Sequence, residues 1–352
     1  MMPVETAFTR WISAALGELG CSRDFAQQPL KVEASFRRFY RITPHDQAIS
    51  SDQSHVERQT YVERRSFVAR QTYVAMHSPP EHENNSQFAK LAEVFTDHGV
   101  PVPTICASNQ PLGYFLLTDL GTRDLREAYA DHDTEAALTA AIDTLVNIQA
   151  IHHPAIGLYE PDRFRAELKI FREWFVEGLL AIPFPDSQLH SAFDVLIQAT
   201  QDQPQCCVHR DFHCKNLLYA RDGQFGVVDF QDALLGPVSY DLASLLRDCY
   251  HRFSASEIAH WRKYYLARTP FDLDEQHFTE SLDFSAVQRQ LKAIGIFSRL
   301  HLRDARPSHL AVILPVLDEL IEMTGQYPGL LSLQGWLRNI RPQASAVLAE
   351  PK

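Results

Sequence analysis

The sequence has little glycine and cysteine, which account for 14 and 6 of its 352 residues. Together with a hydrophobic content of 45%, this composition argues against a fibrous or disordered chain and favours one or two units with cores of their own. Long basic blocks are absent and the formal net charge is −11, which disfavours nucleic acid or an anionic membrane as a partner. No apolar run reaches the length needed to span a membrane.

The N-terminus and the cysteines indicate the compartment. The first 20 residues, MMPVETAFTRWISAALGELG, lack the basic start and the long apolar core of a secretory signal, so we predict none. The six cysteines show no paired spacing in a chain of this size. We therefore expect reduced thiols in a cytoplasmic protein.

The stretch CCVHRDFHCKN, residues 206–216, is rich in side chains that can carry chemistry. His209 and His213 are spaced as in the zinc motif HExxH, and cysteines flank them. However, Arg210 stands where that motif requires glutamate, and no CxxC occurs elsewhere in the chain. A buried strand end without chemistry is a second interpretation of the same stretch.

A third interpretation takes Asp211 as the central residue. The tripeptide HRD that ends at Asp211 is followed by Asn216, which matches the kinase catalytic loop HRDxxxxN. In that loop the aspartate accepts a hydroxyl proton and the asparagine holds magnesium. A second acidic ligand is required at the end of a strand, and Asp229 provides it after the hairpin signal Asp222-Gly223. We predict a phosphoryl-transfer site at which Asn216 and Asp229 bind Mg²⁺ together with ATP.

Hydrophobic periodicity predicts strands first and helices later. An amphipathic helix is expected in the first 20 residues and another over 84–99, with strands over 35–43 and 113–121. The chain after residue 118 is expected to be mostly helical. This order predicts an α+β, bilobal protein kinase-like fold, with an antiparallel sheet in a small N-terminal nucleotide-binding lobe (1–117) and a larger, mostly helical catalytic and substrate lobe (118–352).

The junction between the predicted lobes is the expected site for adenine, which would stack on it and hydrogen-bond to it. The residues concerned are Thr118, Asp119 and Leu120. Residues 56–73 contain three copies of a hexad, VERQTY, VERRSF and VARQTY, and three copies exceed the usual strand length. We interpret residues 44–73 as an insertion between strands, in which a neutral duplication is favoured over a binding feature.

Several segments resemble one known group of enzymes. Histidine follows the catalytic aspartate by two places in HRDFHCKN, and GPVSYDLA resembles GDPxxYDLA, as in the aminoglycoside and choline phosphotransferases. More narrowly, EASFRRFYR, FLLTDLG, VDFQDALLGPVSYDLASLLRDCY and QRQLKAIGIFSRLHLRD resemble the anomeric N-acetylmuramate/N-acetylglucosamine kinases of bacterial cell-wall recycling. The resemblance covers roughly 30–43 and 66–320, and is most specific over 209–250 and 288–304.

This resemblance implies transfer of a phosphoryl group from ATP-Mg to the anomeric hydroxyl of an amino sugar. It makes Asp211 the residue that orients and deprotonates that hydroxyl. It implies that Asp241 is structural, accepting hydrogen bonds from the catalytic loop, and that His209 shapes the loop. The role of His213 stays open between contact with the transferred phosphate and support of Asp211.

Two kinase features are missing. The third strand, around VAMH at 74–77, lacks the usual lysine, and no GxGxxG precedes it. The loop ASFRRFYR occupies that place, so we hypothesise that Arg37 or Arg38 contacts phosphate together with backbone amides. For the sugar, Glu167 and Trp174 are seven apart on a predicted helix, and Arg247 is a further candidate.

Other functions remain open at this point. A phosphotransferase for an aminoglycoside or a choline-like amine is the alternative among enzymes, and a non-catalytic nucleotide-binding pseudokinase is suggested by the missing lysine. The intact Asp211, Asn216 and Asp229 argue against the latter. Protein substrates are disfavoured because DFQD is followed within a few residues by GPVSYDLA, which leaves no room for an activation loop. The oligomeric state and the preferred sugar are not predicted.

Overall fold

This computed structural model describes residues 3–30, 36–45 and 72–349, and the chain divides into two compact units. The smaller unit comprises 1–97, 101–122 and 226–231, and the larger unit comprises 98–100, 123–225 and 232–352. The smaller unit thus extends to Thr122 and includes a short segment from far along the chain. Most of the predicted insertion and of the hexad repeat lies outside the described residues. None of the described helices is both long and apolar enough to cross a membrane.

The smaller unit contains a five-stranded antiparallel sheet of order β1-β2-β3-β5-β4. Its strands are β1 (Phe25–Pro29), β2 (Arg38–Pro44), β3 (Tyr73–His77), β4 (Ile105–Asn109) and β5 (Tyr114–Thr118). Two helices, α1 (Pro3–Glu18) and α2 (Asn85–Asp97), belong to the same unit. Helix α2 ends before Gly99, whose φ of +73° is a backbone conformation that glycine adopts without strain. The predicted helices and strands of this region are thus present.

The two faces of this sheet are covered differently, because successive side chains of a strand alternate between faces. One face packs against α1 through a core that contains Phe8, Ile12, Tyr114 and Leu116. On the other face, Phe115 contacts Phe88 of α2 with ring centroids 5.2 Å apart. The apolar positions of α1 are therefore explained by burial against the sheet.

The larger unit is mostly helical. Its α-helices are α3 (Leu125–Ala130), α4 (Thr134–Gln149), α5 (Pro161–Ile170), α6 (Asp186–Gln201), α7 (Tyr240–Leu246), α8 (Ala255–Leu266), α9 (Glu275–Asp304), α10 (Leu310–Thr324) and α11 (Leu331–Ala349). The remaining strands of the chain are β6 (Gly157–Leu158), β7 (Gln205–Val208), β8 (Leu217–Tyr219), β9 (Phe225–Val227) and β10 (Leu234–Pro237). Strand β10 pairs with β6 in parallel and with β7 antiparallel. The α+β prediction, with the sheet N-terminal and the helices later, is confirmed.

Helix α5 continues directly into a π-helix over Phe171–Leu179. The long helix α9 passes this junction closely, because Gly295 has no side chain: a Cβ there would lie 2.6 Å from the backbone of Ile170 and Phe171. Glu167 and Trp174 therefore belong to two different helix types. Their seven-residue spacing does not place them on one α-helical face.

Candidate active site

Asp211 lies in the loop between β7 and β8 of the larger unit, with 40% of its side chain exposed. The start of this loop is held by the carboxylate of Asp241. The backbone N–H groups of His209 and Arg210 donate to the two carboxylate oxygens of Asp241, at 2.5 and 2.9 Å. Asp241 is fully buried, and burial raises the pKa of its carboxyl. The structural role expected for Asp241 is confirmed.

Arg210 is held in a conformation that non-glycine residues seldom adopt, with φ of +78°. Its guanidinium Nη2 donates to Glu167 Oε1 at 2.9 Å, and its Nη1 donates to the carbonyl of Asp232. Its own carbonyl accepts a hydrogen bond from Arg289 of α9. These contacts fix the backbone immediately before Asp211, so the carboxylate keeps its position without substrate.

Cations surround Asp211. Burial raises the pKa of its carboxyl, but the charges of Lys292, Arg289 and Arg210 outweigh this and hold the pKa well below its usual range. The Arg289 Nη2 atom lies 3.7 Å from Asp211 Oδ1. Asp211 is therefore a partly exposed, ionised carboxylate, as an acceptor for a hydroxyl group must be.

The predicted magnesium ligands fall in different units. Asn216 lies in the larger unit, where its Nδ2 donates to the carbonyl of Asp211 at 3.0 Å, so its Oδ1 can face a cation. Asp229 lies in the smaller unit with φ of +67°, and its Oδ1 accepts a hydrogen bond from Gln231. The next residue, Phe230, is buried between Phe88 and Phe95 of α2, at 5.5 Å from each ring. An amide oxygen and a carboxylate are the donor types that Mg²⁺ takes.

Both carboxylate oxygens of Glu167 have two polar partners each. Its Oε1 lies 2.9 Å from Arg210 Nη2 and 3.1 Å from Lys292 Nζ, while Oε2 accepts from Tyr159 at 2.6 Å and Gln288 at 3.0 Å. Burial opposes ionisation, but Lys292 and Arg210 lower the pKa of Glu167 to about 2. No oxygen of this carboxylate is left for a sugar. We therefore correct its predicted contact with substrate to a role in positioning these two cations.

The other candidate substrate residues differ in their surroundings. Arg247 pairs with Asp283 at 2.9 Å and with Glu319 at 3.2 Å, which ties three helices of the larger unit together. Trp174 is half-buried on the π-helix. His213 contacts the ring of Tyr250 at 5.5 Å, and burial lowers its pKa, which favours the neutral imidazole. Of the three, His213 is the one that lies near the Asp211 carboxylate, two residues away in the chain.

The cysteines of the 206–216 stretch are buried thiols. Burial raises the pKa of Cys206 and of Cys207, which favours the protonated form at neutral pH. All six cysteines lie in the described part of the chain and are unpaired. Within that part, no group of three His, Cys, Asp or Glu side chains has the arrangement of a metal site.

The predicted adenine segment ends β5 in the smaller unit. Asp119 accepts hydrogen bonds from Arg41 at 2.5 and 3.0 Å, from Thr72 at 2.7 Å and from the backbone of Gly121 at 2.9 Å. Burial raises its pKa, but the bond from Arg41 and the others outweigh this and lower it. The side chain of Asp119 is thus occupied in shaping the segment. The backbone N–H of Thr118 donates to the carbonyl of Thr104, and the backbone N–H of Thr104 donates to the hydroxyl of Thr118. The side chain of Leu120 packs so closely on Gly226 that a Cβ there would lie 2.7 Å from it.

The two candidate phosphate ligands point to opposite faces of the sheet. Arg38 pairs in register with His77, whose ring packs on Phe8 of α1. Arg37 is buried on the α2 face, where its guanidinium lies over Phe88, donates to Ser78 at 3.3 Å and pairs with Glu83 at 2.9 Å. Arg37 therefore forms an ion pair with an acidic residue just before α2.

Sequence reasoning missed the two cations from α9. The QRQLKAIGIF segment contributed to the family resemblance, but no role was assigned to Arg289 or Lys292. They lie far along the chain from Asp211, and only the packing of α9 in the larger unit brings them close to it. The three-residue spacing that places both on one helical face was the one available signal.

This fold and this loop define a phosphotransferase: an antiparallel sheet, a helical unit and an anchored aspartate followed by asparagine. The chain belongs to the Phosphotransferase enzyme family, which matches residues 27–276. More closely, it is 32% identical over 328 residues to the N-acetylmuramate/N-acetylglucosamine kinase of Neisseria meningitidis serogroup B, covering 90% of each chain. The N-acetylmuramate/N-acetylglucosamine kinase of Pseudomonas aeruginosa is 28% identical over 351 residues, covering 96% of each chain. The predicted family is confirmed.

Solved structures agree on the fold. The choline kinase LicA from Streptococcus pneumoniae matches with a TM-score of 0.60 and 12% identity, covering 93% of this chain and 100% of that one. A structure of LicA in complex with AMP also matches, with a TM-score of 0.54 and 13% identity over 89% of this chain and 98% of that one. The kinase-like fold prediction is therefore confirmed.

Proposed function

We propose that the protein transfers the terminal phosphoryl group of ATP to the anomeric hydroxyl of N-acetylmuramate or N-acetylglucosamine. The observation that carries this proposal is the half-exposed, ionised carboxylate of Asp211 in a loop anchored by Asp241. The names of the relatives that match almost the whole chain support the choice of sugar. Because ATP is consumed and all six thiols are unpaired, we place the reaction in the cytoplasm.

In this proposal Asp211 orients the acceptor hydroxyl and takes its proton. A carboxylate with so low a pKa is a weak base, so proton transfer comes late, as the hydroxyl oxygen bonds to phosphorus. The loose transition state of phosphoryl transfer tolerates this, since positioning supplies most of the rate enhancement. The anchored backbone around Arg210 provides that positioning.

Asn216 and Asp229 would hold Mg²⁺, which would neutralise the phosphates of ATP. Arg37 is our candidate for the phosphate contact made elsewhere by the third-strand lysine. That lysine pairs with a glutamate of the helix that follows the strand, and Arg37 likewise pairs with an acidic residue, Glu83, just before α2. We propose no phosphate contact for Arg38, which lies on the opposite face. The backbone of 118–120 would contact adenine.

The charges near Asp211 argue against the alternative acceptors. Choline and aminoglycosides are cations, and Arg289 and Lys292 would repel them from this carboxylate. A pseudokinase is disfavoured because the loop that carries Asp211 is fully anchored. An amino sugar that is neutral or anionic fits the site better than either.

The reaction is tested by phosphorus NMR after incubation with ATP-Mg and each sugar. We expect a new phosphate signal that is coupled to the anomeric proton and is lost in mild acid. Asp211→Asn should abolish it, with a fall in kcat of at least about 100-fold for loss of the proton acceptor. Asp222→Asn is the matched control: it lies in the exposed hairpin turn, where Asn-Gly serves as well as Asp-Gly. ATP binding without product from either sugar would contradict the proposed acceptor.

A further inference from the structure

Helix α9 directs two cationic side chains towards the Asp211 carboxylate. Arg289 and Lys292 are three residues apart, so they share one face of the helix. Their side chains are 13% and 11% exposed. They are thus largely withdrawn from water, yet still accessible to a ligand that enters beside Asp211.

Both cations have donors that the described residues do not use. Arg289 gives Nη1 to the carbonyl of Arg210, but its Nη2 is 3.7 Å from Asp211 Oδ1, beyond hydrogen-bonding distance. Lys292 gives one N–H to Glu167 at 3.1 Å, and an ammonium group has three. In the described part of the chain, no other hydrogen bond from these two groups is formed.

The carboxylates nearby do not satisfy this charge. Glu167 is shared between Lys292 and Arg210. Both oxygens of Asp241 accept backbone N–H groups of the catalytic loop. Asp211 is the remaining carboxylate: its Oδ1 lies 3.7 Å from Arg289 Nη2, an ion pair without a hydrogen bond, and its oxygens are needed for the acceptor hydroxyl.

We propose that Arg289 and Lys292 form a subsite for an anionic oxygen group next to the acceptor hydroxyl. A guanidinium and an ammonium that converge with free N–H donors are suited to bind carboxylate or phosphoryl oxygens. This inference rests on the proposed function, which provides two sources of such a group. One is the lactyl carboxylate of N-acetylmuramate, which N-acetylglucosamine lacks; the other is the phosphoryl group in transfer.

The test compares both sugars in Lys292→Gln and Arg289→Gln, with Kd from calorimetry and kcat and KM from kinetics. If the subsite binds the lactyl carboxylate, the loss of affinity should be roughly 10- to 100-fold greater for N-acetylmuramate than for N-acetylglucosamine. If it binds the phosphoryl group, kcat should fall by a similar factor for both sugars while both Kd values stay constant. Lys292→Arg, which keeps the charge, should recover most of either loss.

Controls separate this subsite from a structural role. Lys169→Gln makes the same substitution at an exposed lysine of the larger unit and should match the wild type. Glu167→Gln reports what loosening the buried network does by itself. The inference is overturned if both variants keep kcat and both Kd values within twofold. It is also overturned if Lys292→Gln only repeats the pattern of Glu167→Gln, with equal losses for both sugars and no recovery in Lys292→Arg. Wild-type protein that phosphorylates neither sugar would instead contradict the proposed function.

Discussion

At the scale of single residues, the two arginines at the start of β2 differ in their surroundings although they are adjacent in sequence. Arg37 is buried and paired with Glu83, whereas Arg38 is exposed on the face that carries α1. We expect Arg37→Ala to raise the KM for ATP at least about tenfold, the effect of losing one charge-assisted contact. Arg38→Ala should change it less than about twofold. Steady-state kinetics at saturating sugar measure both, and equal effects would contradict the assignment of phosphate binding to Arg37.

The charge of Glu167 should contribute to stability in a pH-dependent way. Its pKa is lowered from 4.5 to about 2 because Lys292 and Arg210 outweigh the effect of burial. A carboxyl whose pKa is lower in the folded than in the unfolded state stabilises the folded state at pH values above its unfolded-state pKa. This contribution is lost as pH falls from about 4.5 towards 2. Since the carboxylate is 7% exposed, Glu167→Gln should cost about 3 kcal/mol of unfolding free energy at pH 7.

Urea unfolding followed by circular dichroism tests this prediction. The difference between wild type and Glu167→Gln should shrink as pH falls from 7 to 3. Glu173→Gln is the control, since Glu173 pairs with Lys169 on the surface, where such pairs contribute less than about 1 kcal/mol. A constant difference across this pH range would mean that Glu167 acts through packing and not through its charge.

At the scale of elements, the packing of α9 on the α5–π-helix junction depends on Gly295. A methyl group there would meet backbone atoms of Ile170 and Phe171 at 2.6 Å, and backbone cannot move aside as a flexible side chain can. We expect Gly295→Ala to destabilise the protein by about 1–3 kcal/mol. It should also lower kcat/KM, because Arg289 and Lys292 lie on the same helix.

Gly335 provides a matched control with the opposite expected sign. It lies within α11, and a Cβ there would meet nothing within 4 Å. Gly335→Ala should therefore stabilise the protein by up to about 1 kcal/mol through helix propensity alone. Thermal unfolding of both variants measures the contrast. A Gly295→Ala variant as stable as the wild type would show that the helices can separate without cost.

Local patterns predicted the helices and strands of the smaller unit well, but they did not predict the π-helix of the larger unit. Helix α1 and strand β5 follow from apolar periodicity, which burial against one face of the sheet enforces. The hairpin at Asp222-Gly223 also forms as predicted, with the backbone N–H of Ala220 donating to Gln224 and Gly223 at φ +86°. The π-helix over Phe171–Leu179 has no such local signal. Its position coincides with the close approach of α9, which is a tertiary contact.

At the scale of the whole molecule, the two units contain different parts of the predicted chemistry. Asp211, Asn216 and the α9 cations belong to the larger unit, whereas Asp229, Arg37 and 118–120 belong to the smaller one. After residue 122 the chain returns to the smaller unit for 226–231 only, where Phe230 is buried against α2. Asp229, a predicted metal ligand that is distant in sequence from the N-terminal sheet, is thereby part of that unit.

The amino-acid sequence by itself determined the fold class, the family and the catalytic loop, because these depend on short-range patterns: apolar periodicity, turn signals and the spacing from Asp211 to Asn216 to Asp229. Tertiary structure decided the partners of the charged residues that the sequence singled out, and which other charges lie near Asp211. It supplied hydrogen-bonding partners for the carboxylates of Glu167 and Asp119. It placed Arg37 and Arg38 on opposite faces of the sheet and brought Arg289 and Lys292 towards Asp211. The physical reason is that the charge and hydrogen-bonding state of a side chain depends on its neighbours in space, which for these residues lie far away along the chain.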